Sequence, residues 1–100
     1  MDPVSPFLLL RARPWAEDRD EFGRWFRLVH LRDVRRIPGF TSIAWGQTGG
    51  GATLGIYTFE AAETVQATLN SPQAAYARGT WEQWASRLDE FLIEMYAPLV

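Results

Sequence analysis

Apolar side chains between residues 22 and 37 recur at helical spacing and then stop abruptly. At roughly 100° per residue, Phe22, Trp25, Phe26, Val29, Asp33 and Ile37 fall within about 60° of one line, with His30 on its edge. The approach, Trp15 to Glu21, concentrates Asp and Glu where a first helical turn would lie, which suits the positive end of the helix dipole. Pro38 and Gly39 end the segment, because Pro biases the residue before it away from the α region and Gly tolerates positive φ. The pattern predicts one amphipathic helix reaching about Arg36.

The rest of the chain alternates between strand and helix patterns. Phe7-Leu8-Leu9-Leu10-Arg11-Ala12-Arg13 is too short for a helix before Pro14 and reads as a first strand. Thr41 to Gln47 and Ala52 to Phe59 are β-rich runs joined by Thr48-Gly49-Gly50-Gly51, which predicts a hairpin. A phosphate loop would need a Lys-Ser/Thr pair and a helix after the glycines, and neither follows. Glu60 to Leu69 reads as a second helix, interrupted by Asn70-Ser71-Pro72, with a short further turn over Gln73 to Arg78. Thr80-Trp81-Glu82-Gln83 has the form of a capping box and predicts a helical piece through Leu88, with Trp81, Trp84, Ala85 and Leu88 on one side. Glu90 to Tyr96 suits a helix or a strand by propensity; a fourth strand is assigned because it would cover the exposed edge of the very apolar first one.

The resulting order, β-α-β-β-α-β, is the ferredoxin-like arrangement: α+β, a four-stranded antiparallel sheet of order 4-1-3-2 with helices over one face. The four-residue apolar run in the first strand places greasy side chains on both faces. Eight such residues left in water, at ~1.5 to 3 kcal/mol each, would amount to more than ~10 kcal/mol, which rivals the stability of a whole domain. A homodimer packed sheet on sheet answers that problem.

Composition narrows the function classes. The 100 residues, 47% hydrophobic and 22% charged, suit one globular domain spanning residues 1–100. A net charge of −2 lacks the basic field that attracts a phosphate backbone, so no nucleic acid partner is expected. The ten basic residues are all Arg, which by itself assigns no chemistry. Zero cysteines exclude disulfides and thiolate catalysis, and fit a cytoplasmic, reducing setting. The amino end, Met1 to Pro6, has no basic leader region and the longest early apolar run is Phe7 to Leu10, so neither a signal peptide nor a membrane span is expected.

Candidate chemistry centres on His30, the one side chain whose ordinary pKa lies near neutrality. Asp33 lies three residues on, close enough to orient the imidazole, and breaks two local rules by sitting on the apolar face and near the helix carboxyl end. It could equally reach solvent or pair with Arg11, Arg13 or Arg36. Trp25, Phe26, Trp45, Tyr57, Tyr76, Trp81 and Trp84 are numerous for so short a chain; most suit a core, and some suit the walls of a pocket for a flat apolar ligand. Tyr57 or Tyr76 could offer a hydroxyl to a carbonyl or enolate oxygen. One His with no HxH, HxxxH or Cys pair argues against a zinc site.

These residues together resemble the dimeric α+β barrel proteins, and within them the small bacterial families related to EthD. The likeness rests on the strand ending near Pro14, the Trp25-Phe26 pair, His30-Leu31-Arg32-Asp33-Val34 and the Ile37-Pro38-Gly39 stop, with softer matches at Leu54 to Phe59, around Trp81 and Trp84, and at Met95-Tyr96-Ala97-Pro98-Leu99. Arg32 departs from the pattern, which has Pro there. The resemblance implies a pocket between sheet and helices of each subunit, without a cofactor; haem held by His30 follows only by analogy with haem-degrading relatives. The resemblance adds weight to His30; with the reading of the residues above, His30 and Asp33 are the expected catalytic residues and Trp25, Phe26, Trp45, Tyr57, Tyr76 and Trp84 the expected substrate-binding residues. The expected function is a cofactor-free enzyme moving a proton next to the carbonyl of a hydrophobic ring compound, as an isomerase or cyclase does. The alternatives are a non-catalytic small-molecule-binding or stress-response module and a cofactor-free monooxygenase.

Overall fold

A one-residue slip inside the long helix decides where its histidine points. In the computed structural model, which describes residues 4–97, the helix runs as Arg19–Trp25, then a π turn over Phe26–His30, then Leu31–Arg35; it is called α1. At the π turn the Leu31 N–H bonds the Phe26 carbonyl, five residues back, so one extra residue fits into the helix. The inward stripe shifts accordingly by about one residue, or roughly 100°. Phe22 and Phe26 are buried as the sequence predicts, but the positions that follow are His30 and Val34, flanked by Leu31 and Asp33. Val29, expected on the inner line, is only half-buried. The regular helix read from the sequence is thus corrected, and the imidazole moves from the helix edge into the interior.

The strands are β1 (Phe7–Pro14), β2 (Phe40–Gln47), β3 (Thr53–Phe59) and β4 (Leu88–Tyr96). They form one antiparallel sheet of order β2-β3-β1-β4, which is the ferredoxin-like order expected. The hairpin between β2 and β3 closes with the Thr48 N–H on the Ala52 carbonyl at 2.8 Å, and Gly51 takes a φ of +90° there.

The second helical region is more broken than its alanine-rich sequence suggests. The run from Glu60 reduces to a 3₁₀ turn, Ala62–Thr64, and the short α2, Val65–Leu69. Ser71 then caps a new helix, α3 (Pro72–Gly79): its Oγ accepts the Ala74 N–H at 3.1 Å, and Pro72 sits where no donor is needed. The capping box at Thr80 does not form. The Thr80 hydroxyl bonds the Ala77 carbonyl behind it, Gln83 donates to the Thr80 carbonyl, and the expected helix through Leu88 contracts to one 3₁₀ turn, Glu82–Trp84. β4 therefore begins two residues earlier than predicted.

Pairing register assigns the faces. Leu8, Leu10 and Ala12 of β1 lie beside Tyr57, Gly55 and Thr53 of β3 on the side that carries the helices. There Leu10, Ala12, Phe22, Phe26, Leu31, Val34, Tyr57 and Trp84 make the core. Phe7, Leu9, Leu54, Ile56, Leu92 and Tyr96 face the other way by the same register. On that open face Ile56 and Leu92 keep 39% of their surface exposed, and the Phe7 and Tyr96 rings stack at 5.0 Å. Among the described residues no helix is long and apolar enough to cross a membrane. Met1 to Pro3, and Pro98 and Leu99 of the closing segment, lie outside the described residues.

Candidate functional site

The helix-facing side of the sheet and the three helices leave a hollow of about 520 Å³ between them. Leu8 and Leu10 form its floor with Ile93 and Met95 of β4; Val34, Ile37 and Phe40 close one side, and α2 and α3 form the roof. The size and mostly apolar lining suit one ring-bearing small molecule. No Asp or Glu lines it.

Three side chains with polar atoms meet in its wall. His30 Nε2 lies 2.7 Å from the Tyr57 hydroxyl, and the Trp81 indole N–H donates to His30 Nδ1 at 3.2 Å. An indole nitrogen is only ever a donor, so Nδ1 must present its lone pair and the neutral imidazole carries its proton on Nε2. Nε2–H then donates to the Tyr57 oxygen, and the phenolic proton is left free to point elsewhere. Polarity runs one way, from Trp81 through His30 to Tyr57, and such chains strengthen each bond in them.

Burial sets the protonation states. The imidazole is packed against the rings of Phe26 at 4.8 Å, Trp81 at 5.0 Å and Trp25 at 5.7 Å. Desolvation lowers the His30 pKa from 6.5 to about 4, so the ring is neutral at pH 7. The same cause pushes the Tyr57 phenol up, so it keeps its proton. Tyr57 reaches His30 because the neighbouring same-face position is Gly55: a Cβ there would lie 2.7 Å from the ring carbon bearing the hydroxyl, inside any real contact.

The remaining candidates separate. Trp25 and Phe26 stand behind the imidazole and outside the lining of the hollow. Trp45 lies beyond it on β2, 6.0 Å from the Phe26 ring and 42% exposed. Trp84 is fully buried, edge-on to Phe22 at 5.0 Å, with the Arg87 guanidinium over its other side at 4.2 Å. Asp33 does not orient His30, since both imidazole nitrogens already have partners from other elements. Its side chain is buried about 60° short of a full turn from His30, as three residues at ~100° each require, in the wall of a different hollow that Tyr76 and Arg36 also line. The pairings with Arg11 and Arg13 are not formed either; those bind Glu90 and Asp89. Trp81, one of the seven aromatics the sequence offered but not among the six given a binding role, completes the site. Its signal was faint: it lies in a capping box that never forms, among aromatics that mostly build the core. Among the described residues no three His, Asp or Glu side chains gather into a metal-holding group.

Comparison with family models and with curated proteins finds no match. Solved structures do match over nearly the whole chain. Rv0793 from Mycobacterium tuberculosis is 17% identical with a TM-score of 0.66, covering 96% of this chain and 97% of its own. An EthD family protein from Bacillus halodurans is 15% identical with a TM-score of 0.71, covering 94% and 99%. A structure described as an antibiotic biosynthesis monooxygenase is 7% identical with a TM-score of 0.67, covering 95% and 99%. At these identities the likeness shows that the chain has the α+β fold of these structures. More particularly, it is the ferredoxin-like form shared by EthD and antibiotic biosynthesis monooxygenase structures, as the resemblance implied.

Proposed function

We propose that the protein takes a hydrophobic, carbonyl-bearing ring compound into the hollow under α1 and activates it through Tyr57. What carries this reading is the one-way hydrogen-bond chain that ends on a phenol with a free proton in an apolar wall. A carbonyl oxygen placed there accepts that proton's hydrogen bond. As negative charge grows on the oxygen, the bond strengthens against a mostly apolar wall. Drawing charge into the oxygen acidifies the neighbouring C–H; with no carboxylate lining the hollow, that proton passes to water at its open side, and its return at another carbon completes an isomerisation. Loss of the proton equally opens the reaction of an enolate with dioxygen.

His30 holds Tyr57 in this scheme and is a positioning residue. That differs from the proton-abstracting role expected from its sequence, because both of its nitrogens are engaged and it is a weak base at a pKa of about 4. The same fact favours a second reading, a non-catalytic module that binds the same class of compound. The two part on product formation. A panel of aryl ketones and quinols is screened with wild type and Tyr57→Phe, following Trp fluorescence, product and dioxygen. Saturable quenching with turnover that Tyr57→Phe lowers supports the enzyme; quenching with no product supports the binding module. Equal binding and turnover by both proteins rejects the site.

The open sheet face supports a homodimer in this proposal. Leu9, Ile56 and Leu92 lie on it away from the helices, and a second copy packed there would remove them from water.

A further inference from the structure

The lining of the hollow under α1 carries one full charge, and it sits in the roof. Arg78, in the last turn of α3, lines the hollow, and its Nη1 donates to the carbonyl of Leu69 at the end of α2 at 3.0 Å. That bond fixes the guanidinium at the roof between the two helices and uses only one of its five donors. Arg11, Arg13, Arg32 and Arg87 each lie against a carboxylate, whereas no ion pair among the described residues includes Arg78. No Asp or Glu lines the hollow, and the His30 ring in its wall is neutral. Arg78 is also exposed, so a molecule entering the hollow can reach it.

We propose that Arg78 selects compounds bearing a carboxylate, so that the ligand of this hollow is an aryl keto acid with its ketone at Tyr57 and its acid group at the roof. The inference rests on the reading of Tyr57 as the group that meets the ketone. Tyr57 comes from the sheet and Arg78 from the helices above it, so a molecule lying between the two layers can present one oxygen function to each. The planar fork of the guanidinium matches the two oxygens of a carboxylate, and the bonds are charge-assisted. Gln66 and Asn70 line the same roof and offer neutral donors on that side. One guanidinium balances one negative charge. A phosphate dianion would call for a second cation, and no other Arg lines the hollow.

Calorimetric titration of the full chain tests this with 3-benzoylpropanoate and its neutral isostere 3-benzoylpropanamide, which share the ring and the ketone. The acid is expected to bind on the order of tenfold more tightly than the amide. Arg78→Met is expected to bring that ratio to about one, and Arg78→Lys, which keeps the charge but not the fork, to retain part of it. Raising the salt from about 0.05 to 0.5 M is expected to shrink the ratio in wild type, a readout that needs no variant to fold. If Arg78 only ties α3 to α2, Arg78→Met would weaken both compounds alike and leave the ratio standing, which would overturn the proposal. Equal affinity for acid and amide in wild type would overturn it alone; binding of neither up to about 10 mM would overturn the hollow as a binding site as well.

Discussion

Acidification from pH 7.5 to 4 is expected to weaken the fold through one group, His30. Its pKa is about 4 when folded, against 6.5 for the solvated imidazole of an unfolded chain. Protonation therefore favours unfolding: stability from this site is complete above pH 6.5 and drains away as the pH falls toward 4. Between those values the unfolded chain holds up to one more proton, so the slope approaches ~1.4 kcal/mol per pH unit. The integral over the window is about 3 kcal/mol, a large share of what holds a small domain together. Urea unfolding at intervals from pH 7.5 to 4 measures it, with His30→Gln as the reference. Carboxylates of the unfolded chain begin to titrate at the acid end of that window, and Glu90 is held below its ordinary value in the folded protein, chiefly by its hydrogen bond to Arg11. Both proteins share that background, so the difference between their slopes isolates the imidazole. Wild type is expected to lose about 3 kcal/mol more than the variant. Parallel profiles would refute the burial argument, and with it the neutral tautomer on which the hydrogen-bond chain depends.

Four further outcomes follow from the same geometry. Tyr57→Phe removes the free phenolic proton and strands the buried Nε2–H; a loss of ~1 to 3 kcal/mol in urea unfolding is expected, with turnover of an active ketone falling about 10² to 10³-fold. Gly55→Ala drives a methyl into the Tyr57 ring, so ketone quenching should weaken as in Tyr57→Phe although the hydroxyl is still present. Trp81→Phe deletes the donor on Nδ1, and an NMR titration should find the His30 pKa raised from about 4 toward its ordinary value. Ile56→Glu puts a charge on the open sheet face, and sedimentation is expected to report a monomer for the variant and the proposed dimer for wild type.

The strands were legible because period-two alternation and a Gly-rich turn leave few other readings, and β4 because an apolar β1 could not be left at an edge. The helices were harder. Nothing in Phe26-Arg27-Leu28-Val29-His30 announces a π turn, whose cost is met by tertiary packing that seats Phe26 and His30 inward together. Since the extra residue rotates everything after it, the sequence could place His30 near the site but not its ring against Tyr57. Tyr57 was visible as a hydroxyl on a strand; which face it took depended on register. Asp33 was marked by the two rules it breaks, but that it shares the wall of a hollow with Tyr76 of α3 is a packing outcome that local sequence does not show. Trp81 gained its role only when the capping box gave way to a turn.

The chemistry assigned to the hollow under α1 stands on the direction of the chain from Trp81 through His30 to Tyr57. Because His30 is the sole histidine, a long-range ¹H–¹⁵N spectrum at pH 7 reports it without ambiguity. A neutral ring with the proton on Nε2 and a bare Nδ1 is expected. A proton on Nδ1, or on both nitrogens, would contradict that direction.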